Sequence, residues 1–175
     1  MEIRLDQIGD EPYRWRETRS VPVESLERSQ VLDLGDVEWE GEIARTSSGF
    51  LLTAEIRYAQ ALECPRCLGP SPGEVETRVE LLIQPKNKEP VVGELELEEG
   101  DLGVLFLEGE VLDTRPILIE QIQLNVPMRQ LCREDCAGLC PQCGIDRNND
   151  SCDCAEEAVD PRWESLLALR DRLEN

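Results

Sequence analysis

The sequence alternates in Leu52-Thr53-Ala54-Glu55-Ile56-Arg57-Tyr58 and again in Val75-Glu76-Thr77-Arg78-Val79-Glu80-Leu81-Leu82-Ile83, with Cys64-Pro65-Arg66-Cys67-Leu68-Gly69 between the two segments. Apolar side chains at every second position are typical of strands that bury one face and expose the other. The cysteine motif therefore lies at the turn of a predicted antiparallel hairpin or meander. A CxxC turn places two sulfur atoms on one side of the chain, which suits a tetrahedral metal ion.

The flanking residues continue the β-rich pattern on both sides. Residues 37–46 alternate, and Ser47-Ser48-Gly49 is a turn signal in which the glycine can adopt a positive φ angle. Residues 94–98 alternate between glutamate and leucine, which predicts a further strand with a solvated acidic face. Residues 85–90 predict a loop.

Two helices are predicted, one before and one after the last six cysteines. Asp113-Thr114 can cap a helix near residues 114–126, and Pro127 ends it because the residue before a proline disfavours the α region. Asp160-Pro161 opens an amphipathic helix that runs toward Leu173, with Trp163 on its apolar face.

These elements predict an α+β fold in two parts. We expect residues 1–126 to form an antiparallel β-meander or partial barrel with a central helix near 114–126. We expect residues 127–175 to form a cysteine-rich, zinc-binding C-terminal segment that ends in the second helix.

Charge and composition narrow the function. The chain has 175 residues with 38 acidic and 18 basic side chains, no histidine, and a formal net charge of −20. Such a chain repels polyphosphate at long range, so naked RNA should bind weakly, whereas a basic protein partner suits its field. Without histidine the chain lacks the commonest general base, so we expect no enzyme.

No apolar run approaches the ~18 residues of a membrane helix, and no signal peptide is visible. We therefore expect a soluble, cytoplasmic protein without membrane contact.

One basic and aromatic segment offers an alternative function. On a strand, Tyr13-Arg14-Trp15-Arg16-Glu17-Thr18-Arg19 would place both rings on one face and Arg14 and Arg16 on the other. Aromatic rings beside cations can bind single-stranded RNA. We favour an edge strand with its rings in the core and keep direct RNA binding as the alternative. That alternative would use Tyr13, Trp15, Arg14, Arg16, Arg19, Arg129, Arg133 and Arg147.

The cysteines carry the strongest chemical signal. In a reducing cytosol they favour metal ligation over disulfides. Four thiolates make a closed structural zinc site, so eight cysteines predict two structural zinc ions and no open position that could activate water. Ligand spacing does not distinguish zinc from iron in such a site. Thiol redox chemistry is less favoured, because a thioredoxin-like CxxC accompanies a βαβ unit and none is visible. The candidate ligands are Cys64, Cys67, Cys132, Cys136, Cys140, Cys143, Cys152 and Cys154.

Two partitions of the cysteines are open. The last four lie within 15 residues and need only short loops to meet. This partition leaves Cys64, Cys67, Cys132 and Cys136 for a second site, which would tie the meander to the end of the helix. The rival partition joins the two CPxC motifs, as zinc ribbons do, and leaves Cys132, Cys136, Cys152 and Cys154. We favour the first partition because its loops are shorter.

The cysteine-rich segment resembles the YceD family. The residues that carry the resemblance are Cys132-Arg133-Glu134-Asp135-Cys136-Ala137-Gly138-Leu139-Cys140-Pro141-Gln142-Cys143-Gly144, Asn148, Cys152-Asp153-Cys154, Asp160-Pro161-Arg162, Cys64-Pro65-Arg66-Cys67-Leu68 and residues 127–131. The resemblance spans roughly residues 30–170.

The resemblance implies a non-enzymatic factor needed for normal accumulation of large-subunit ribosomal RNA. It also implies a bacterial gene that often neighbours the gene of a small, basic protein of the large subunit. We therefore expect an accessory factor of large-subunit assembly that binds a basic ribosomal protein or a pre-ribosomal particle.

Overall fold

The computed structural model describes residues 1–27, 30–86 and 103–154 of the chain. Within these residues it contains eight strands, one α-helix and two short 3-10 turns. The strands are β1 (Glu2–Arg4), β2 (Tyr13–Arg19), β3 (Val31–Leu34), β4 (Val37–Arg45), β5 (Phe50–Glu63), β6 (Pro70–Pro85), β7 (Val104–Leu107) and β8 (Val111–Asp113). The helix α1 is Thr114–Leu124, and the 3-10 turns are Leu5–Gln7 and Val23–Ser25.

Six of these strands form one sheet around a long hairpin. The order is β2-β4-β5-β6-β7, and β3 also pairs with β5. β5 and β6 are antiparallel from the Phe50↔Ile83 pair to the Glu63↔Pro70 pair. β1 and β8 form a separate two-stranded antiparallel sheet. The hairpin therefore carries residues 64–69 at its tip, as the sequence predicts.

The predicted alternation is confirmed by the burial of side chains on the two central strands. Along both strands, every second side chain lies in the core and the glutamates between them face outward. The buried positions are Val37, Trp39 and Ile43 on β4 and Leu52, Ala54, Ile56 and Tyr58 on β5.

The sheet is mixed, so the prediction of an antiparallel meander is wrong at one strand pair. β7 runs parallel to β6, from the Leu82↔Val104 pair to the Pro85↔Leu107 pair. A parallel pair needs a long connection between its strands, and its direction is set by the path of that connection rather than by a local residue pattern. Within the described residues the sheet stays open and does not close into a barrel.

The turn between β4 and β5 forms where Ser47-Ser48-Gly49 predicts it, but for a different reason. Gly49 is not among the described glycines with a positive φ angle. A Cβ atom there would instead collide with the carbonyl oxygen of Ile83. The position requires glycine because the backbone of β6 passes so close to it.

α1 confirms the predicted helix near 114–126, although the helix ends before residue 126. The Asp113 carboxylate accepts a hydrogen bond from the backbone N–H of Arg115 at 3.0 Å and so caps the first turn. Ile117, Leu118 and Ile122 are buried in the same apolar core as the sheet. The helix is therefore anchored at a fixed position, and the chain that follows it starts from there.

The chain divides between Cys136 and Ala137 into two compact units. The first unit is Met1–Cys136, and the described part of the second covers residues 137–154. The sequence predicts a division after residue 126. Residues 127–136 belong instead to the first unit, because they carry two cysteines that meet the hairpin tip.

Some predictions lie outside the described residues. These are the strand at residues 94–98, most of the loop at residues 85–90, and the helix that opens at Asp160 and includes Trp163. In the described ranges, no helix combines the length and the apolar character that crossing a membrane requires.

Candidate metal centres

The first cysteine group joins the tip of the β5–β6 hairpin to the segment that follows α1. Its members are Cys64, Cys67, Cys132 and Cys136, whose sulfur atoms all lie within 4.8 Å of one another. Cys64 and Cys136 are buried, and the other two are partly exposed. The Cys64 and Cys136 sulfur atoms are 3.9 Å apart, and those of Cys67 and Cys132 are 3.6 Å apart.

These separations fit a tetrahedral metal ion. Four sulfur atoms at ~2.3 Å from a zinc ion lie roughly 3.8 Å from one another along the edges of the tetrahedron. The two distances of 3.6 and 3.9 Å lie on either side of that value. Thiolates bind zinc and iron strongly, so the residues present suit either ion.

The second cysteine group lies within the second unit. Cys140, Cys143, Cys152 and Cys154 place their sulfur atoms within 4.8 Å of one another. Cys140 is buried and Cys143 is exposed. All eight cysteines are free thiols rather than disulfides. This grouping is the partition that short loops favour over the zinc-ribbon alternative.

The two CPxC motifs fold into the same hydrogen-bonded turn. In the first knuckle (residues 64–69), the N–H of Cys64 donates to the Gly69 carbonyl at 2.9 Å, and the N–H of Leu68 donates to the Cys64 carbonyl at 2.8 Å. In the second knuckle (residues 140–145), the equivalent bonds measure 2.8 and 2.9 Å. The sequence motif therefore produces one local geometry in two different surroundings.

Backbone N–H groups prepare one sulfur atom of each group for ionisation. At Cys140, hydrogen bonds from the backbone of Cys143 and Gln142 lower the pKa of the thiol to about 6. At Cys64, burial raises the pKa, but hydrogen bonds from three backbone N–H groups, led by that of Cys132, outweigh burial and lower it to about 6. A thiolate with such donors is a ready first ligand for a metal ion.

Other thiols of the two groups ionise with more difficulty. Burial, followed by the Cys136 sulfur, raises the pKa of Cys132 to about 12. The Cys143 sulfur, followed by burial, raises the pKa of Cys154 to about 12. Four negative sulfur atoms confined within 4.8 Å repel one another, and a bound dication removes this repulsion. The electrostatics of both groups therefore favour a metal ion as the counter-charge.

The arrangement supports a structural role for such an ion. Each group supplies four sulfur ligands, which is the full coordination of a structural zinc site. An ion held this way keeps no open position at which it could bind and activate water.

Side-chain hydrogen bonds hold the segment after α1 against the hairpin and against the residue that precedes β3. Gln130 Nε2 donates to the carbonyls of Ser71 and Pro72 at 2.9 and 3.1 Å. Gln30 Nε2 donates to the Pro127 carbonyl at 3.2 Å. Sequence reasoning missed these contacts because each joins residues that are far apart in the chain and match no local pattern.

In the second unit, polar side chains order the loop between the two cysteine pairs. The Asp146 carboxylate accepts hydrogen bonds from the backbone N–H of Asn148 at 3.0 Å and from Asn149 Nδ2 at 2.8 Å. Asn148 Oδ1 in turn accepts a hydrogen bond from the backbone N–H of Ala137 at 2.8 Å. In the sequence Asn148 is notable only as part of the family resemblance, whereas in the structure its side chain makes this contact with Ala137.

Of the two aromatic residues of the alternative RNA surface, Trp15 lies in the core and Tyr13 does not, so the expectation that both rings are buried holds only for Trp15. Among the described strands, β2 lies at the edge of the sheet, as predicted. Trp15 is buried, and its ring stacks on that of Trp39 with centroids 6.0 Å apart. Only Tyr13, which is 43% exposed, presents a ring to solvent on this strand.

The arginines of that alternative surface are dispersed or paired with carboxylates. Arg14 lies 2.9 Å from Glu42, and Arg16 lies 3.5 Å from Glu40. Arg19 pairs with Glu17 at 3.1 Å, and Arg133 pairs with Asp135 at 3.4 Å. Arg129 and Arg133 follow α1 rather than lying on β2, and Arg147 belongs to the second unit.

The outward side of the large sheet carries more carboxylates than cations. Arg57 bridges three strands there by donating to Glu76 at 2.9 Å, to Glu40 at 3.2 Å and to Glu55 at 2.5 Å. Residues directly opposite one another on paired strands share a face, so the strand register defines this surface. We call it the outer sheet face; it comprises the carboxylates of Glu38, Glu40, Glu42, Glu55, Glu74, Glu76 and Glu80 and the cations of Arg14, Arg16, Arg57 and Arg78.

Comparison with known proteins places this chain in a family. A family described as "Large ribosomal RNA subunit accumulation protein YceD" matches residues 52–170. Uncharacterized proteins of Mycobacterium tuberculosis and Mycobacterium bovis are each 30% identical over 146 residues, covering 83% of this chain and 65% of their own length. An uncharacterized protein of Mycobacterium leprae is 26% identical over 145 residues, covering 79% of this chain and 64% of its own length. This chain therefore spans about 65% of the curated relatives that it matches first. No solved structure matches it.

Proposed function

The chain belongs to the YceD family, and we propose that it is a non-enzymatic accessory factor in the assembly of the large ribosomal subunit. The family description, which concerns accumulation of large-subunit ribosomal RNA, supports this role. The proposed place of action is the cytoplasm, where ribosomal subunits are assembled in bacteria.

The proposed partner is a basic protein of the large subunit, either free or within a pre-ribosomal particle. The observation that carries this choice is the outer sheet face, where seven carboxylates outnumber four arginines. Together with a net charge of −20, this face attracts a basic partner and repels free polyphosphate. Direct binding to naked RNA is the less favoured alternative, since Arg14 and Arg16 on this face are already paired with glutamates.

The two cysteine groups support a structural rather than a catalytic contribution. Four sulfur ligands fill the coordination of each proposed zinc ion, so neither ion would supply a Lewis acid or a bound hydroxide. The proposed ions would instead cross-link the hairpin tip to the segment after α1, and fix the loop of the second unit.

The proposal is tested by capturing partners of the whole protein at moderate salt and identifying both the proteins and the RNA that are retained. We expect a basic large-subunit protein to be retained after ribonuclease treatment and to dissociate as salt rises, because salt screens the charges that hold it. The purified chain by itself should not retain free ribosomal RNA, because its net charge of −20 repels polyphosphate. Sub-micromolar binding of naked ribosomal RNA at 150 mM salt, without any basic protein, would support the RNA alternative instead.

Charge-neutralising variants show whether the outer sheet face is the surface used. Glu38, Glu74 and Glu80 are exposed, and their side chains form no ion pair or hydrogen bond within the described residues, so replacing all three with glutamine breaks no such contact there. We expect this triple variant to bind the partner about 10-fold more weakly, at ~1.4 kcal/mol per factor of ten.

A matched control removes the same charge elsewhere. Glu2, Glu11 and Glu24 are exposed and lie off the outer sheet face. Their triple replacement with glutamine should change partner affinity less than 2-fold. Equal weakening by both triple variants would mean that overall charge matters and the outer sheet face does not.

A further inference from the structure

The first cysteine group contains a cross-link that does not involve sulfur. Arg66, between the two cysteines of the first knuckle, donates from Nη1 to the carbonyl of Cys136 at 2.8 Å and to that of Glu134 at 3.4 Å. These two carbonyls belong to the turn that carries the fourth candidate ligand, which is closed by a hydrogen bond from the Cys136 N–H to the Arg133 carbonyl at 3.2 Å. One guanidinium therefore ties the backbone of one ligand pair to the backbone of the other.

The Arg66 hydrogen bonds fix the position of one candidate ligand, Cys136. Cys136 lies 69 positions from Cys67 in the sequence, and a loop of that length must lose conformational entropy before the two halves can meet. The Arg66 hydrogen bonds offset part of this entropy loss before a metal ion binds. They hold the Cys136 backbone where its sulfur is 3.9 Å from that of Cys64. A ligand set held in place before the ion arrives binds that ion more tightly.

The charge of Arg66 acts in the same direction. Four thiolates around a dication leave a net negative centre, and a permanently charged guanidinium beside it offsets part of that charge. The second knuckle has Gln142 at the equivalent place between its cysteines, which supplies no charge. A contribution of side-chain charge from this position is therefore specific to the first cysteine group.

We propose that Arg66 is a positioning residue for a metal ion in the first cysteine group, because it fixes Cys136 relative to the first knuckle and compensates the charge of the loaded centre. Removing it weakens metal binding at this group and leaves the second group unchanged. The inference does not depend on which partner the protein binds, so the capture experiments above test a separate claim.

The test measures zinc occupancy of each group in the whole protein. It compares four proteins: wild type, Arg66→Ala, Arg66→Lys and Arg129→Ala. Each protein is equilibrated in chelator-buffered zinc, briefly alkylated, and digested for mass spectrometry. A cysteine that escapes alkylation shows that its own group holds zinc. Arg129 is the matched control, because it is an exposed arginine after α1 with no hydrogen bond or ion pair in the described residues.

We expect Arg66→Ala to raise the free zinc needed to protect the first group by about 10- to 100-fold, the usual effect of removing a residue that orients a metal ligand. Protection of the second group should stay within 2-fold of wild type and serves as the internal reference. Arg66→Lys should recover only part of the loss, since it keeps the charge but not the planar guanidinium whose Nη1 donates to both carbonyls. Arg129→Ala should behave as wild type.

Three results would overturn the proposal. The first is that Arg66→Ala leaves the protection of the first group unchanged. The second is that Arg129→Ala weakens this protection as much as Arg66→Ala does. The third is that the first group of the wild type takes up no zinc. If Arg66→Ala fails to fold, Arg66→Lys gives the answer alone, because full wild-type zinc affinity in that variant would exclude a role for the two-carbonyl contact.

Discussion

Leu68 occupies in the first knuckle the backbone position that Gly144 occupies in the second. Both residues follow the second cysteine of a CPxC motif and donate to the carbonyl of the first cysteine. Both adopt a left-handed conformation, with φ of 60° at Leu68 and 75° at Gly144. The turn therefore requires this conformation, and only the second knuckle satisfies the requirement with the residue that adopts it without strain.

Leu68→Gly is expected to stabilise the protein slightly. A left-handed conformation destabilises a residue with a side chain by roughly 1–2 kcal/mol, and glycine avoids this strain. Glycine is also more flexible in the unfolded chain, which destabilises the folded state by about 0.5–1 kcal/mol and offsets part of the gain. The free energy of unfolding, measured by urea titration of the zinc-loaded protein, should rise by up to about 1 kcal/mol. Leu68→Ala is the control, because it loses the side chain but keeps Cβ and should give no increase.

Gly144→Ala is expected to have the opposite effect. A Cβ atom at Gly144 would meet no atom within 4 Å, so the change adds strain without a collision. We expect the second group to bind zinc about 5- to 30-fold more weakly, which corresponds to roughly 1–2 kcal/mol. Gly9→Ala, at an open position with no positive φ, should leave zinc binding unchanged. Equal affinity in Gly144→Ala and wild type would show that the knuckle tolerates a side chain there.

The sequence predicted the features that depend on neighbouring residues. The β5–β6 hairpin and α1 follow from period-two alternation and from an Asp113 cap, both of which act within a few positions. The second cysteine group could be predicted because short loops connect its four cysteines. The first group was then predicted from the four cysteines that were left. The Arg66–Cys136 contact and the parallel β6–β7 pair join distant parts of the chain, so no local pattern predicts them.

Native mass spectrometry should find two metal ions on each chain and no disulfide. The expectation follows from two groups of four sulfur atoms that each fit one tetrahedral ion. Elemental analysis of the same sample would identify the metal as zinc or iron. Eight thiols that react with an alkylating reagent in a metal-free native protein would contradict this prediction.

Removing the metal should unfold the second unit and leave the sheet folded. Every residue of the buried apolar core lies between Ile3 and Val126, so the described residues 137–154 contribute none. Because the described part of this unit has no apolar core, we expect its fold to depend on a metal ion. Hydrogen exchange after chelation should show loss of protection at the amides of Cys140 and Gly144, while the central strands stay protected. Preserved protection throughout the second knuckle would contradict this.

Zinc affinity should fall as the pH falls, because zinc binds the thiolates and protons compete for them. In the metal-free protein the raised pKa values of Cys132 and Cys154, about 12, keep both thiols protonated at pH 7. At Cys67 and Cys152 a backbone hydrogen bond lowers the pKa, but burial and the neighbouring cysteine sulfur atoms outweigh it and raise the pKa above that of an ordinary thiol. Each ion should therefore release at least two protons on binding at pH 7.

Calorimetry can count these protons, since released protons make the measured heat depend on the ionisation enthalpy of the buffer. Below pH 6 a third thiol of each group, Cys64 or Cys140, becomes protonated because its pKa is about 6. The loss of affinity per pH unit should then become steeper. A binding heat that is the same in all buffers would mean that the thiols are already ionised in the metal-free protein.

Gly41→Ala should destabilise the first unit through the stacked tryptophans. A Cβ atom at Gly41 would lie 2.6 Å from the Thr53 carbonyl oxygen, 2.7 Å from the Ala54 Cβ and 2.8 Å from the Trp15 ring. Two of these atoms cannot move independently of β5, so the added methyl group must displace Trp15 or the strand itself. We expect a loss of about 1–3 kcal/mol in the free energy of unfolding, as for other overpacked cores. Gly9→Ala, where a Cβ meets nothing within 4 Å, should change it by less than about 0.5 kcal/mol. If Gly41→Ala unfolds like the parent protein, the close packing of Gly41 against β5 and Trp15 does not contribute to stability, and this prediction is wrong.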